Sequence, residues 1–387
     1  LFYLPIVDYY LINAGAIYIM GFSNLFFLEK IAYYIKKKNT DVILFLSLLS
    51  LLIINTSFSR IAEHGTDRSA LILIFVFVIY YLESLRIKHK DHQKNFIEYY
   101  EKMIVVLLLI ISLKSFYVIY LIVFLVWIFN INSNVIHKKI LKNILVNRLT
   151  YVFIVSLSIF TLTVFLNTGC LIYPASFTCI QGFEWAIPIE QVDKMKNWYS
   201  LWSKAGANPN FRVQDPDLYL SNFNWINNWI SSYFFTKVSD FLLIVLTILI
   251  LCILLFKNKK LNNISSINNY KILYFLIFGL FIEWFINHPA LRYGGYTLIA
   301  LLFFLPLSFY LDKFTIYSKL FEKKVLLLII LSFGIFVAKN FLRINHEINK
   351  YGYEPLKNPY YHITKNASLS EYEQKFRSSW VYNELYK

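Results

Sequence analysis

The chain has 387 residues, of which 58% are hydrophobic, 19% aromatic and only 16% charged. Soluble domains carry roughly 25% charged residues, so this balance excludes an ordinary soluble globular protein and points to a polytopic membrane protein. A net charge of +15 would suit a nucleic-acid partner, but the basic residues sit in short segments between apolar runs. With no nucleic-acid motif, repeat or low-complexity tract, no nucleic acid is expected and membrane lipid is the natural partner.

A membrane-crossing helix needs about 20 mostly apolar residues. Runs near 5–28, 41–58, 69–85, 150–167, 239–256, 271–287, 295–311 and 325–341 meet that need. The stretch 103–129 differs because Lys114 interrupts it near its middle. Two full spans do not fit in it, so two short helices meeting at Lys114 as a re-entrant hairpin are expected. The predicted fold is thus all-α: a transmembrane bundle of about eight spans plus that hairpin. Residues 1–341 form the transmembrane domain, with a large loop at 168–238 and a tail at 342–387.

The connecting segments set the orientation. Segments 29–40, 86–102, 131–149, 257–272 and 312–324 hold 21 of the 38 Lys and Arg and only six acids. By the positive-inside rule they are cytoplasmic. Segments 58–69, 168–238, 288–294 and the tail then face outward. Leu1 opens directly into apolar sequence without a basic leader, and the first span runs from outside to inside. An odd number of spans is therefore expected upstream.

The outward segments carry the candidate chemistry. Asp8, near the outer end of the first span, is either a water-exposed interfacial residue or part of a substrate site. Arg60, Glu63, His64, Asp67 and Arg68 crowd into one short loop. One reading is an acidic helix start, favoured by the helix dipole at Asp67, with solvated arginines. The other makes Asp67 or Glu63 a general base, with Arg60, His64 or Arg68 binding an anion. Lys114 needs water, an acid or an anionic ligand, because a lysine inside an apolar run cannot remain alone. His288 and Arg292 lie in a Pro- and Gly-containing turn whose backbone can approach a phosphate closely.

Cys170 and Cys179 both fall in the large outer loop, and in an oxidising compartment they are expected to pair around Pro174. The alternative is two free buried thiols. Cys252 lies within a span and reads as packing. Five of the eight tryptophans occupy the same loop. Trp198/Trp202 and Trp225/Trp229 are each four apart, as an aromatic membrane belt or a sugar-stacking face would require. Leu218–Phe235 reads as an interfacial helix. No cofactor motif is present, and the histidine spacing supports no divalent metal.

Three of these motifs carry a resemblance: Glu63-His64-Gly65-Thr66-Asp67, Gly169-Cys170-Leu171-Ile172-Tyr173-Pro174 with Cys179, and His288-Pro289-Ala290-Leu291-Arg292-Tyr293-Gly294. In this order they resemble a group of bacterial polytopic membrane proteins that is similar to the GT-C superfamily of glycosyltransferases. Leu113-Lys114-Ser115 also resembles the lysine-bearing broken helix of that superfamily. The resemblance implies an inner-membrane enzyme with its active face outside, using a polyprenyl-phosphate sugar donor for cell-envelope glycan or lipid modification. It implies inverting transfer, with Asp67 and Glu63 as acidic site residues and Lys114 and Arg292 holding phosphate. In that superfamily the usual catalytic carboxylate lies in the first outer loop, after the first span, and the resemblance implies that this region is expected upstream of Leu1. A flippase or transporter of lipid-linked sugars or anions, an envelope polysaccharide polymerase or ligase, and a non-catalytic scaffold are the rival readings.

Overall fold

The computed structural model describes residues 14–59, 66–86, 92–129, 142–207, 213–258 and 270–352. Asp8, Arg60, Glu63 and His64 lie outside the described residues. The described chain is helical, and its only β-type pairing is an isolated bridge between Cys170 and Cys179. Ala16–Phe336 forms one compact unit; Leu1–Gly15 and Val337–Lys387 form the second.

The centre of the main unit is a pair of helices, α2 (Val42–Ser57) and α3 (Asp67–Ser84). Every residue of α2 from Val42 to Asn55 is buried, and in α3 only Tyr80 and Glu83 escape full burial. A helix that is apolar on all sides must be surrounded by protein or lipid; here protein does it. α1 (Ala14–Lys36) packs beside α2, and Asn24 and Asn55 exchange amide hydrogen bonds of 3.0 and 3.3 Å inside the packing. Two apolar-embedded amides satisfy each other, which removes the penalty of burying either alone.

α4 (His92–Leu113) and α5 (Tyr120–Phe129) join through a short 3-10 turn at Ser115–Ile119. Phe96 stacks on Trp127, and Tyr100 meets Phe124 at 5.6 Å. Those cross-pairs make α4 and α5 an antiparallel hairpin with Lys114 at its tip. Its arms run the length of α3: Thr66 bonds to Leu113 O at one end, and Trp127 Nε1 donates to Ser84 Oγ at the other. The 22 residues of α4 amount to about 33 Å, so the hairpin is deeper than a shallow re-entrant loop. Its first arm begins in the polar segment before residue 103, where the hydropathy pattern shows no helix.

Then follow α6 (Arg148–Thr168), α7 (Ile189–Lys204), α8 (Ile226–Phe256), α9 (Tyr270–Asn287), α10 (Gly295–Phe314) and α11 (Lys319–Tyr351). α8 is a single 31-residue helix with a π-helical stretch at Ile230–Val238. Residues 226–235 are therefore the start of a long apolar helix, and a separate interfacial helix over Leu218–Phe235 is not formed. Pro216–Leu220 and a 3-10 turn at Ser221–Phe223 stand apart as short helical turns before it. Among the described residues, five helices are long and apolar enough to cross a membrane: α6, α8, α9, α10 and α11. These make it a helical membrane protein by length and composition, while α2, at 16 residues, is shorter.

The described parts of the five basic segments meet at one end of the main unit. Arg86 pairs with Asp41 and donates to Tyr34 OH at 3.2 Å. Asn147 donates to Glu101 at 2.7 Å, Asn258 N to Phe314 O at 2.7 Å, and Tyr317 OH to Ile35 O at 2.7 Å. The hairpin tip, the α3 N-terminus and the α9–α10 turn lie at the other end.

Candidate functional site

Three chain segments far apart in sequence converge on Asp67. The first is its own: α3 starts at Asp67, with Thr66 as the preceding cap residue. Thr66 does not cap α3 with its side chain; its hydroxyl donates instead to Leu113 O at 2.5 Å. That carbonyl is one of those left without an intrahelical partner when α4 ends, so Thr66 ties the hairpin tip to α3. Lys114 follows in extended backbone conformation (φ −155°, ψ 112°), which turns its side chain out of the α4 helix.

The third segment is the turn 288–295. Trp229 Nε1 donates to Pro289 O at 3.0 Å, Trp284 Nε1 to Ala290 O at 2.9 Å, and Leu291 N to Tyr233 OH at 2.9 Å. Tyr117 OH adds a bond to Arg292 O at 3.3 Å. Gly294 has φ +122°, and a Cβ on Gly295 would stand 2.3 Å from the Trp284 indole. Side chains from α8, α9 and the hairpin thus hold this turn, and two glycines let it press against them.

Lys114 Nζ lies 2.6 Å from Asp67 Oδ1. Arg292 reaches Oδ2 with Nε at 2.9 Å and Nη2 at 2.8 Å. Asp67 is 2% exposed, whereas the Lys114 and Arg292 side chains are 29% and 32% exposed. One carboxylate thus anchors two cations that keep open faces, and the trio carries a net positive charge. Tyr293 lies under both cations, 5.3 Å from Lys114 Nζ and 5.5 Å from Arg292 Cζ, and Trp202 is 5.5 Å from Arg292. Aromatic faces favour cations in such positions.

Beside this trio is a cavity of about 440 Å³. The hairpin tip lines it with Lys114, Ser115, Phe116 and Val118, and the loop after α6 with Ile172, Tyr173, Pro174 and Ala175. α7 contributes Lys196 and Tyr199, and the 288–295 turn contributes His288 and Tyr293. The loop is closed by a Cys170–Cys179 disulfide. His288 is kept neutral: burial, then the nearby Lys204 charge, pull its pKa down to about 4 against a hydrogen bond with the Tyr199 backbone. Its Nδ1 is buried without a hydrogen-bond partner. Burial pushes the Tyr293 hydroxyl up to about 12.

Asp67, Lys114, His288, Arg292 and the disulfide loop are therefore brought together. Arg68 is buried in α3 and does not line the cavity. Trp225 and Trp229 are neither a membrane belt nor a sugar platform: both are buried against Phe285, and Trp229 supports the Pro289 carbonyl. Trp198 remains half exposed, whereas Trp202 packs on Tyr293. Lys196, Tyr199 and Tyr293 were not evident as site residues, although Lys196 and Tyr199 have the i, i+3 spacing of one helix face. Cys252 is buried and free, as a packing residue would be. Among the described residues, no three His, Cys, Asp or Glu side chains gather as metal ligands do.

The fold and site define a helical membrane protein with a cationic, aromatic-walled cavity at the end opposite its basic segments. The chain belongs to the family described as a domain of unknown function, DUF8201, which matches residues 1–299. That match contains every residue of the site and ends within α10. No curated protein and no solved structure matches the chain.

Proposed function

We propose that this protein is an integral membrane transferase of the GT-C kind, with about eight spans and the α4–α5 hairpin. Its site takes the phosphate of a polyprenyl-phosphate-linked sugar at the outer face of a bacterial inner membrane. The observation that carries this reading is the sharing of one buried carboxylate by Lys114 and Arg292 at the edge of an aromatic cavity. One negative charge offsets one of two positive charges, so an anion is favoured there. The open faces of a lysine and an arginine suit a phosphate.

Asp67 acts as a positioning residue in this reading. Both of its oxygens are engaged and it is almost wholly buried, so it is poorly placed to accept a proton from an acceptor hydroxyl. Glu63, four residues earlier, takes that proton. The acceptor oxygen attacks the anomeric carbon, the bond from that carbon to the phosphate oxygen breaks, and the departing lipid phosphate keeps the electron pair. Lys114 and Arg292 stabilise the charge that gathers on it. His288, neutral, forms part of the cavity wall against the sugar.

The test uses the purified full chain in nanodiscs titrated with undecaprenyl phosphate. Lys114→Met and Arg292→Gln are each expected to weaken binding by about tenfold, the worth of one charge-assisted hydrogen bond. Binding of the uncharged polyprenol should not change. Glu63→Gln should keep phosphate binding and lose release of labelled sugar from the polyprenyl-phosphate donor. Equal affinity of all variants for the phosphate would overturn the site; sugar release by Glu63→Gln at the wild-type rate would overturn its role.

A further inference from the structure

The loop that follows α6 is closed by a disulfide, yet it points its apolar side chains away from the protein. Phe177 is 90% exposed, and Leu171, Ile180, Phe183 and Trp185 are each about half exposed. The loop is not loosely held. Gly169, with φ +76°, turns the chain back at the end of α6, and Ile180 N donates to Gly169 O at 2.8 Å. Leu171 N donates to Thr178 O at 3.2 Å, and the Thr178 hydroxyl bonds Ile172 O at 3.0 Å. Backbone groups that would otherwise require water are thus satisfied inside the loop, which lets its surface be apolar.

That surface continues the outward face of α6. Phe165, near the end of α6, packs on Phe183 at 5.8 Å and on Trp185 at 5.5 Å. Leu171 shares a groove with Leu162 and Phe165 of α6. Residues 149–183 contain no Lys, Arg, Asp, Glu or His, so the uncharged stretch of the span runs on for about fifteen residues past its helix. A loop in water would break such a stretch with charge. Rigid aromatic and aliphatic side chains at the end of a lipid-facing helix belong to the headgroup–acyl boundary.

We propose that the disulfide-closed loop Cys170–Cys179 is seated in the lipid of the same leaflet as the cavity, with Phe177 as its wedge. The opposite side of the loop walls the cavity through Ile172–Ala175, so a lipid-linked anion enters between this wedge and the hairpin tip without crossing water. The lipid seat stands on the loop's own geometry; the entry role rests on the phosphate-site reading.

The test places the photo-crosslinker p-benzoylphenylalanine at Phe177 and, as a second variant, at Ile180, in the full chain. The protein is reconstituted in vesicles of phosphatidylcholine and phosphatidylglycerol, illuminated, and weighed by intact mass spectrometry. Both positions are expected to gain the mass of one phospholipid, as Leu162 on α6 should, while Asp217 gains none. A crosslinked protein dimer, or no adduct at either position, would overturn the lipid seat. Phe177→Asp should weaken binding of undecaprenyl phosphate by about tenfold and leave a short, water-soluble prenyl phosphate unaffected. Lipid adducts together with unchanged undecaprenyl phosphate affinity would overturn the entry role. Absence of any phosphate binding in the unaltered chain would sink the phosphate site and leave the crosslinking result to decide the seat.

Discussion

The two ends of the main unit use buried charge in opposite ways. At the basic end, Arg86 pairs with Asp41, and Asp312 lies close enough to interact with both while bonding Thr40. Lys30 meets Glu83 at 2.7 Å. Carboxylates there match or outnumber the cations they hold, even though the surrounding loops are rich in lysine. At the other end, Asp67 faces two cations and a cavity. A cluster whose charges match ties helices together without excess charge; an unmatched one retains attraction for something that is not protein. The local imbalance, and not the total loop charge, therefore marks the candidate site.

The strongest way to break this contrast is Asp67→Ala. It leaves Lys114 and Arg292 beside each other without a counter-charge, and stability should fall by ~2–3 kcal/mol, below the usual loss for a fully buried pair because both cations are partly exposed. Thermal unfolding in detergent reads the loss, and adding Lys114→Met should recover part of it. A double variant as unstable as the additive sum would mean that the pair is not coupled.

Asp41→Ala is the matching experiment at the basic end. Asp41 accepts Ile43 N at 2.8 Å as the α2 cap and also pairs with Arg86. Losing the cap costs ~1 kcal/mol, and Asp312 remains to hold Arg86, so a total of ~1–2 kcal/mol is expected. Undecaprenyl phosphate affinity should be unchanged. A fall in affinity would show that the two ends are not separate in function.

The smallest effect is in pH. His288 is held neutral with a pKa of about 4, below its ordinary value of about 6.5. Between those values the unfolded chain binds more protons than the folded one, so stability rises with pH across that window and is lost as the medium acidifies. His288→Asn should reduce the difference between unfolding midpoints at about pH 5 and about pH 7. An unchanged difference would mean that His288 is not buried as a neutral ring.

Much of the site was legible as separate signals. Lys114 stood out because lysine inside an apolar run demands an explanation, and the Pro and Gly residues of the 288–295 turn announced an irregular backbone. The cysteine spacing pointed to a closed loop. What could not be read was the pairing: 225 positions separate Asp67 from Arg292, and neither segment's pattern contains the other. The Trp225/Trp229 pair misled for a related reason. Spacing shows that two indoles share a helix face, but not whether that face meets lipid, sugar or Phe285.

By itself, then, the sequence determined the helical membrane class, the gathering of basic segments at one end and the break at Lys114. Each follows from the local composition of a stretch of chain and the cost of burying charge or unpaired backbone. Only the tertiary structure decided that α2 and α3 are enclosed by protein, that α8 runs unbroken from Ile226, and that Asp67 anchors two cations at once. Those depend on which surfaces meet, and complementarity between distant segments is a property of the packed bundle.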